Sequence, residues 1–253
     1  MTAAVSIGLR GDVDHAILRE IAPRIEAAGY RTLWLNDNHR GQSLAGLAVV
    51  AAVTTRLQLA TGVIALDGLS ADGILAKLAD LPTDRLTLGI GSGGATGALA
   101  RVEQAVATLK SGTSAPVVVG ALGPRMRRLA AERADGVLLN WLTPTAAASA
   151  TADLRRDAGA RAVRSILYSR TIASPMDAAA LDTECARYTA IPTYAANFER
   201  LGIEAIDTTI RTPADLAAFR DTADEIVLRA ITTNGSVAEL ERLVDTYAAA
   251  INR

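Results

Sequence analysis

Residues 115–144 read APVVVGALGPRMRRLAAERADGVLLNWLTP. Val117 to Gly120 and Gly136 to Leu139 are short, continuous runs rich in Val and Leu, the pattern of parallel strands covered on both faces. Between them, Pro124 suits the first position of a helix, where its missing N–H costs nothing, and Gly120 and Gly123 let the preceding backbone turn tightly. The stretch therefore reads as a βαβ unit. The helix start would present free N–H groups, the positive end of the helix dipole and the charge of Arg125, which together suit a phosphate. Gly-Pro is also ordinary loop punctuation, and spacing alone does not separate the two readings.

The chain around this unit has 253 residues, half of them apolar. That length sits near the roughly 250 residues of an eight-fold β/α barrel, and one domain spanning residues 1–253 is expected. The formal net charge is −1 and the charges are dispersed. No basic stripe points to nucleic acid, so a small-molecule substrate is the expected partner. The start, MTAAVSIGLRGD, lacks the basic segment and apolar core of a signal peptide, and no apolar run reaches the roughly 18 residues of a membrane span. A cytoplasmic protein with no membrane association is expected. Cys185 is the single cysteine, which excludes an internal disulfide, and with only His15 and His39 no metal site is expected. Redox chemistry on this chain would need an organic cofactor.

Short apolar strands alternate with Ala- and Leu-rich helical stretches throughout, as in a parallel α/β architecture. Eight strands are predicted, over 5–9, 32–36, 57–63, 86–90, 117–120, 136–139, 165–172 and 225–231. Helices are predicted over 14–28, 44–54, 72–81, 98–110, 125–133, 145–158, 176–190, 213–221 and 236–249. The segment from Ala173 to Asp224 is long enough for two or three helices and reads as a flap or an interface.

Several segments together resemble the bacterial luciferase-like oxidoreductases, a family of TIM (β/α)8 barrels that use reduced flavin or the deazaflavin coenzyme F420. AAGYRTLWLND resembles the family's second strand, LAGLAVVAAVTTRLQLATGVIALD its second helix and third strand, and DRLTLGIGSGG its fourth strand and loop. GALGPRMRRLA through ADGVLLNWLTP is the most specific match, above all to deazaflavin-dependent members, and RYTAIPTYAANFERLG resembles the helical segment before strand eight.

The resemblance implies that the cofactor ring stacks on a bulge after strand three containing a non-prolyl cis peptide, at Thr61, Gly62 and Val63. It places the cofactor phosphate near Gly123, Pro124, Arg125 and Met126, with Gly120 just before them also in the cofactor site. Asn140, Trp141 and Thr143 would contact the ring or its ribityl chain, and Gly91 and Ser92 in the loop GSGGATG would approach the cofactor closely. Asp37 and His39 stand where relatives carry an Asp-His pair, here split by Asn38. A histidine beside a carboxylate can titrate near neutrality and serve as an acid or base for hydride transfer; a solvated loop histidine is the other reading, and the residues alone lean toward it. His15 and Cys185 read as structural.

Two departures stand out. The loop after strand four lacks the Glu that family dehydrogenases often carry. The link from Lys110 to Ala115 is shorter than in larger relatives, which suggests an open pocket and so favours coenzyme F420, sluggish toward oxygen, over FMN. The expected function is hydride transfer between F420 or FMN and a small organic substrate, in a homodimer. A barrel that binds cofactor without turning over substrate is the alternative.

Overall fold

A computed structural model describes residues 3–37, 41–94 and 97–251. The elements run β1 (Ala4–Leu9), α1 (His15–Ala27), β2 (Thr32–Leu35), α2 (Gln42–Val53), β3 (Gln58–Thr61), β4 (Ile64–Ala65), α3 (Ala71–Leu75), β5 (Leu86–Gly91) and α4 (Ala98–Gly112). They continue with β6 (Val117–Gly120), α5 (Pro124–Arg133), β7 (Gly136–Asn140), α6 (Pro144–Ala158), β8 (Arg164–Thr171), α7 (Ala178–Thr189), α8 (Pro192–Leu201), α9 (Pro213–Phe219), β9 (Glu225–Ala230) and α10 (Val237–Ile251).

Every strand pairing is parallel, and the pairing of β3 with β5 closes the order β3-β2-β1-β9-β8-β7-β6-β5 into a ring. The result is the expected barrel of eight parallel staves inside a layer of helices. Seven staves match the predicted strands to within a residue or so. The third does not run unbroken over 57–63: it is split into β3 and β4, and β4 pairs only with β5.

Alternation along the staves separates two apolar layers. Trp34, Ala60, Val118, Leu138, Ile166, Tyr168 and Val227 fill the barrel interior, with the half-buried Val63 packed against them. The intervening residues, such as Leu33, Leu59, Val119 and Leu167, join the larger core between staves and helices. Glu225 is fully buried at the amino-terminal end of the barrel, where its carboxylate accepts from Ser6 Oγ at 2.6 Å and Trp34 Nε1 at 2.8 Å and pairs with Arg164. A buried carboxylate is tolerable only when paired and hydrogen-bonded, and these three partners supply that.

Three expectations change. The predicted helix over 72–81 is only five residues long, because Gly73 weakens it; Leu78 and Leu81 are still buried, so their apolar spacing reports packing rather than helix. Helix α8, expected only as part of the helical segment around RYTAIPTYAANFERLG, gains bounds of its own: Pro192 at its first position starts a new helix instead of continuing α7. The third concerns the link over 113–116, which joins α4 to β6 and so enters the barrel at the amino-terminal ends of the staves. Its shortness therefore cannot open a pocket at the opposite, carboxyl end, and the preference for F420 drawn from an open pocket loses that support. Among the described residues, no helix is long and apolar enough to cross a membrane.

Candidate active site at the carboxyl end of the barrel

Because all staves are parallel, the chain leaves each at the same face, and the loops after β2, β4, β5, β6 and β7 meet there. The third stave breaks at a cis peptide between Gly62 and Val63. Around the break, side chains replace ladder hydrogen bonds: Thr61 Oγ1 accepts from the Gly89 amide at 2.8 Å and donates to the Gly89 carbonyl at 3.0 Å. Asn36 Nδ2 donates to the Gly62 carbonyl. A Cβ on Gly62 would lie 3.2 Å from Trp34 and 3.3 Å from Tyr168, so its backbone rests on the interior aromatics.

Val63 then projects over three glycines. Its side chain lies 3.4, 2.8 and 3.1 Å from where a Cβ would stand on Gly89, Gly91 and Gly120. Glycine in a strand marks a close approach, and here it makes a trough in β5 and β6 that the bulge residue fills. Val63 is half-buried, so part of its apolar surface faces the mouth.

Helix α5 opens beside this platform. Gly123 is its N-cap, no side chain satisfies the free amides, and Pro124 occupies the first turn. No atom lies within 4 Å of a Cβ placed on Gly123, which leaves the approach to the helix start clear. Arg125 is exposed and Met126 half-buried. The sequence reading missed Arg127, which is buried with its basicity lowered, first by desolvation and then by neighbouring Arg200. Its position three residues after Pro124, on the inward side of α5 with Ala130 and Ala131, was the available signal.

On the far side of the mouth, β8 and β9 carry Arg170 and Arg229 directly opposite one another. Arg229 donates from Nε to Asn36 Oδ1 at 2.8 Å, and the Tyr168 hydroxyl donates to the same oxygen at 3.2 Å. Burial pushes the Tyr168 hydroxyl up to about 12. Arg170 stacks 4.0 Å over the Trp141 ring and 4.5 Å over Tyr188, donates to Asn140 Oδ1, and lies 3.5 Å from Glu184. Trp141 itself has a left-handed backbone, φ 55°, a conformation costing a bulky residue about 1–2 kcal/mol, and it packs with Ile172, Leu181 and Phe198 beneath α7 and α8.

Residues 4–107 and 97–252 match the family model described as luciferase-like monooxygenase. The chain belongs to this family. Among solved structures, the luciferase-like barrel is similar to an F420-dependent secondary alcohol dehydrogenase in complex with an F420-acetone adduct: TM-score 0.77, 12% identity, 99% of each chain covered. It is similar to the coenzyme F420-dependent tetrahydromethanopterin reductase from Methanopyrus kandleri, with TM-score 0.69, 15% identity, and 98% of this chain and 100% of that one covered. It is also similar to the oxygenating constituent of 3,6-diketocamphane monooxygenase from Pseudomonas putida in complex with FMN, with TM-score 0.64, 12% identity and 99% of each chain covered. At these identities the likeness establishes the shared fold. No curated sequence relative matches the chain.

The luciferase-like barrel brings most of the residues singled out from sequence to one face, in unequal roles. Thr61, Gly62, Val63, Gly91 and Gly120 build the platform, and Gly123 to Met126 form the helix start. Asn140 accepts from Arg170, and Thr143 caps α6 by accepting from the Ala146 amide at 3.3 Å. Ser92 donates to the Gly93 carbonyl at 3.1 Å. Trp141 is 1% exposed, its ring lying between Arg170 and the side chains of Ile172, Leu181 and Phe198. Asp37 accepts from Ser43 Oγ at 2.7 Å at the start of α2, and His39 lies outside the described residues. The glycine loop that lacks its own acid has Asp67 beside it, accepting from the Gly94 amide at 2.9 Å.

Proposed function

We propose that this chain is an oxidoreductase that binds a flavin-type mononucleotide, coenzyme F420 ahead of FMN, across the mouth of the barrel. The observation that carries the reading is the platform of Val63 seated over Gly89, Gly91 and Gly120, beside the uncapped start of α5 on one face. Val63 offers a flat ring an apolar surface, and the free amides at Arg125 and Met126 with the Arg125 guanidinium suit a phosphate. Gly91, Ser92, Gly120, Asn140 and Thr143 would line the space between. The residues present therefore fit such a group. When bound, the cofactor supplies hydride exchange with a small organic substrate.

The protein's own part is to bind, orient and shield. Asp37 and His39 are assigned to holding or moving a proton at the substrate, within a homodimer that keeps water from the mouth. The order F420 before FMN is supported by the resemblance of residues 120–143 to deazaflavin-dependent members.

The test is a fluorescence titration of the purified protein with F420 and with FMN, with light scattering to read the oligomer, followed by reduction and oxidation assays on the complex. Saturable binding of F420 at least tenfold tighter than FMN, with turnover of a small alcohol or carbonyl compound, is expected. Binding of neither cofactor overturns the reading. Tight binding without turnover across a broad substrate panel replaces the enzyme with a cofactor carrier.

A further inference from the structure

We propose that the barrel mouth holds an anion-binding subsite anchored by Arg229, and that the substrate of this site carries a carboxylate. The argument starts from register. Tyr168 and Val227 are paired across β8 and β9 and belong to the interior cluster, so the residues two positions on, Arg170 and Arg229, point to the same side at the carboxyl end. Both are buried, at 3% and 7% exposure.

Their partners differ. Arg170 is held on four sides, by Glu184, Asn140 and the rings of Trp141 and Tyr188. The hydrogen bonds of Arg229 go only to neutral acceptors, Asn36 Oδ1 and the Ala230 carbonyl, and among the described residues no carboxylate lies within ion-pair distance of it. The nearby acids are already engaged: Asp12 by Arg10 at 2.5 Å, and Glu184 by Arg170 and by Arg187 at 2.7 Å. Glu184 thus serves Arg170 and Arg187, and among the described residues Arg229 is left without a paired carboxylate. Burial disfavours the charge on Arg229, and Arg170 disfavours it further. A buried charge without a counter-ion is costly to fold around, and a binding site is the usual place where that cost is kept.

Asn36 ties this charge to the platform. One amide group accepts from Arg229 on its oxygen and donates to the Gly62 carbonyl from its nitrogen, so an anion on Arg229 would sit at a fixed place relative to the cis bulge. Arg229 offers a planar fork that matches a carboxylate, with Arg170 fixed alongside. Calling the anion a substrate rests on the oxidoreductase reading; its being bound does not.

The test compares shape-matched probes at constant ionic strength: acetate against acetamide and benzoate against benzamide, read by thermal melting and calorimetry on the cofactor-free protein. At least one carboxylate is expected to raise Tm in a saturable way and its amide not to. Arg229→Met is expected to weaken that binding at least tenfold while melting no lower than wild type without ligand, because an unpaired buried charge is removed. Arg229→Lys, which keeps the charge and loses the fork, is expected to fall between. Equal response to acid and amide, or carboxylate binding unchanged in either variant, overturns the inference. So does a loss of fold in both variants, which would make Arg229 a structural residue. F420 and FMN titrations run in parallel separate the two claims: carboxylate binding without cofactor binding removes the proposed function alone, and the converse removes the anion subsite alone.

Discussion

A Cβ on Gly91 would lie 2.8 Å from Cγ2 of Val63, so the absence of a side chain on β5 is what admits the bulge residue to the mouth. Gly91→Ala should push Val63 out of its trough. Overpacking of this kind costs about 1–3 kcal/mol, and the displaced platform should weaken cofactor binding as well. Gly89→Ala should be worse, since its Cβ would stand 1.9 Å from the Thr61 carbonyl and only backbone movement between β3 and β5 relieves that. Gly123→Ala, with no atom within 4 Å, is the control for a methyl group that the fold tolerates, compared by melting temperature alone because it stands at the proposed phosphate site. Thermal melts of the three variants and cofactor titrations of the first two check the order.

Arg125→Glu should weaken cofactor binding while leaving the melting temperature close to wild type, because the residue is exposed and makes no ion pair among those described. Placing a carboxylate where a phosphate is held at the helix start should cost about 1–3 kcal/mol, or roughly five- to 150-fold in Kd. An unchanged Kd in the folded variant would put the phosphate elsewhere, and Arg127→Gln would then be the variant to titrate.

Asp37 has two claims on it that separate experimentally. If its carboxylate takes part in proton handling, Asp37→Asn should lower kcat by roughly a hundred- to ten-thousand-fold, since the amide can still accept from Ser43 but carries no charge. Ser43→Ala, which removes only the structural bond, should cost about 1 kcal/mol in stability and leave kcat near wild type. Equal kcat in Asp37→Asn and wild type would confine Asp37 to holding the start of α2.

Asp224 predicts an acid limb in the stability of the barrel. Burial raises its pKa, but the Ser165 amide at 2.8 Å, the Ser165 hydroxyl at 2.9 Å and Arg155 at 2.8 Å more than offset this and hold it below the ordinary carboxylate range. A depressed folded pKa gives stability that is present above the unfolded value near about 4 and is lost as pH falls through the folded one. Urea melts between about pH 5 and pH 2 should show this loss, and Asp224→Asn should flatten it while lowering stability at neutral pH.

Much of this was legible along the chain. The strands declare themselves because continuous Val and Leu runs are a local signal, as at Val117–Gly120, and Pro124 marks its helix start by a rule that needs no tertiary context. Asp37 beside Ser43, Arg127 within α5 and the short α3 were less readable, since hydrogen bonding and burial depend on which neighbour arrives. His39 lies outside what the structure describes.

The sequence alone determined a parallel β/α barrel, the spans of most of its staves and the start of α5 at Pro124, because periodicity and capping act over a few residues. Only the tertiary structure decided what faces what. Register set Arg229 across from Arg170 and tied Arg229 to Asn36, 193 positions away. Barrel closure put Val63 over Gly91 and Gly120, turned Trp141 under α7 and α8, and sent the short link at 113–116 to the end away from the site. Each of these depends on which strand becomes a neighbour and in what alignment, and that is settled by packing the whole ring at once.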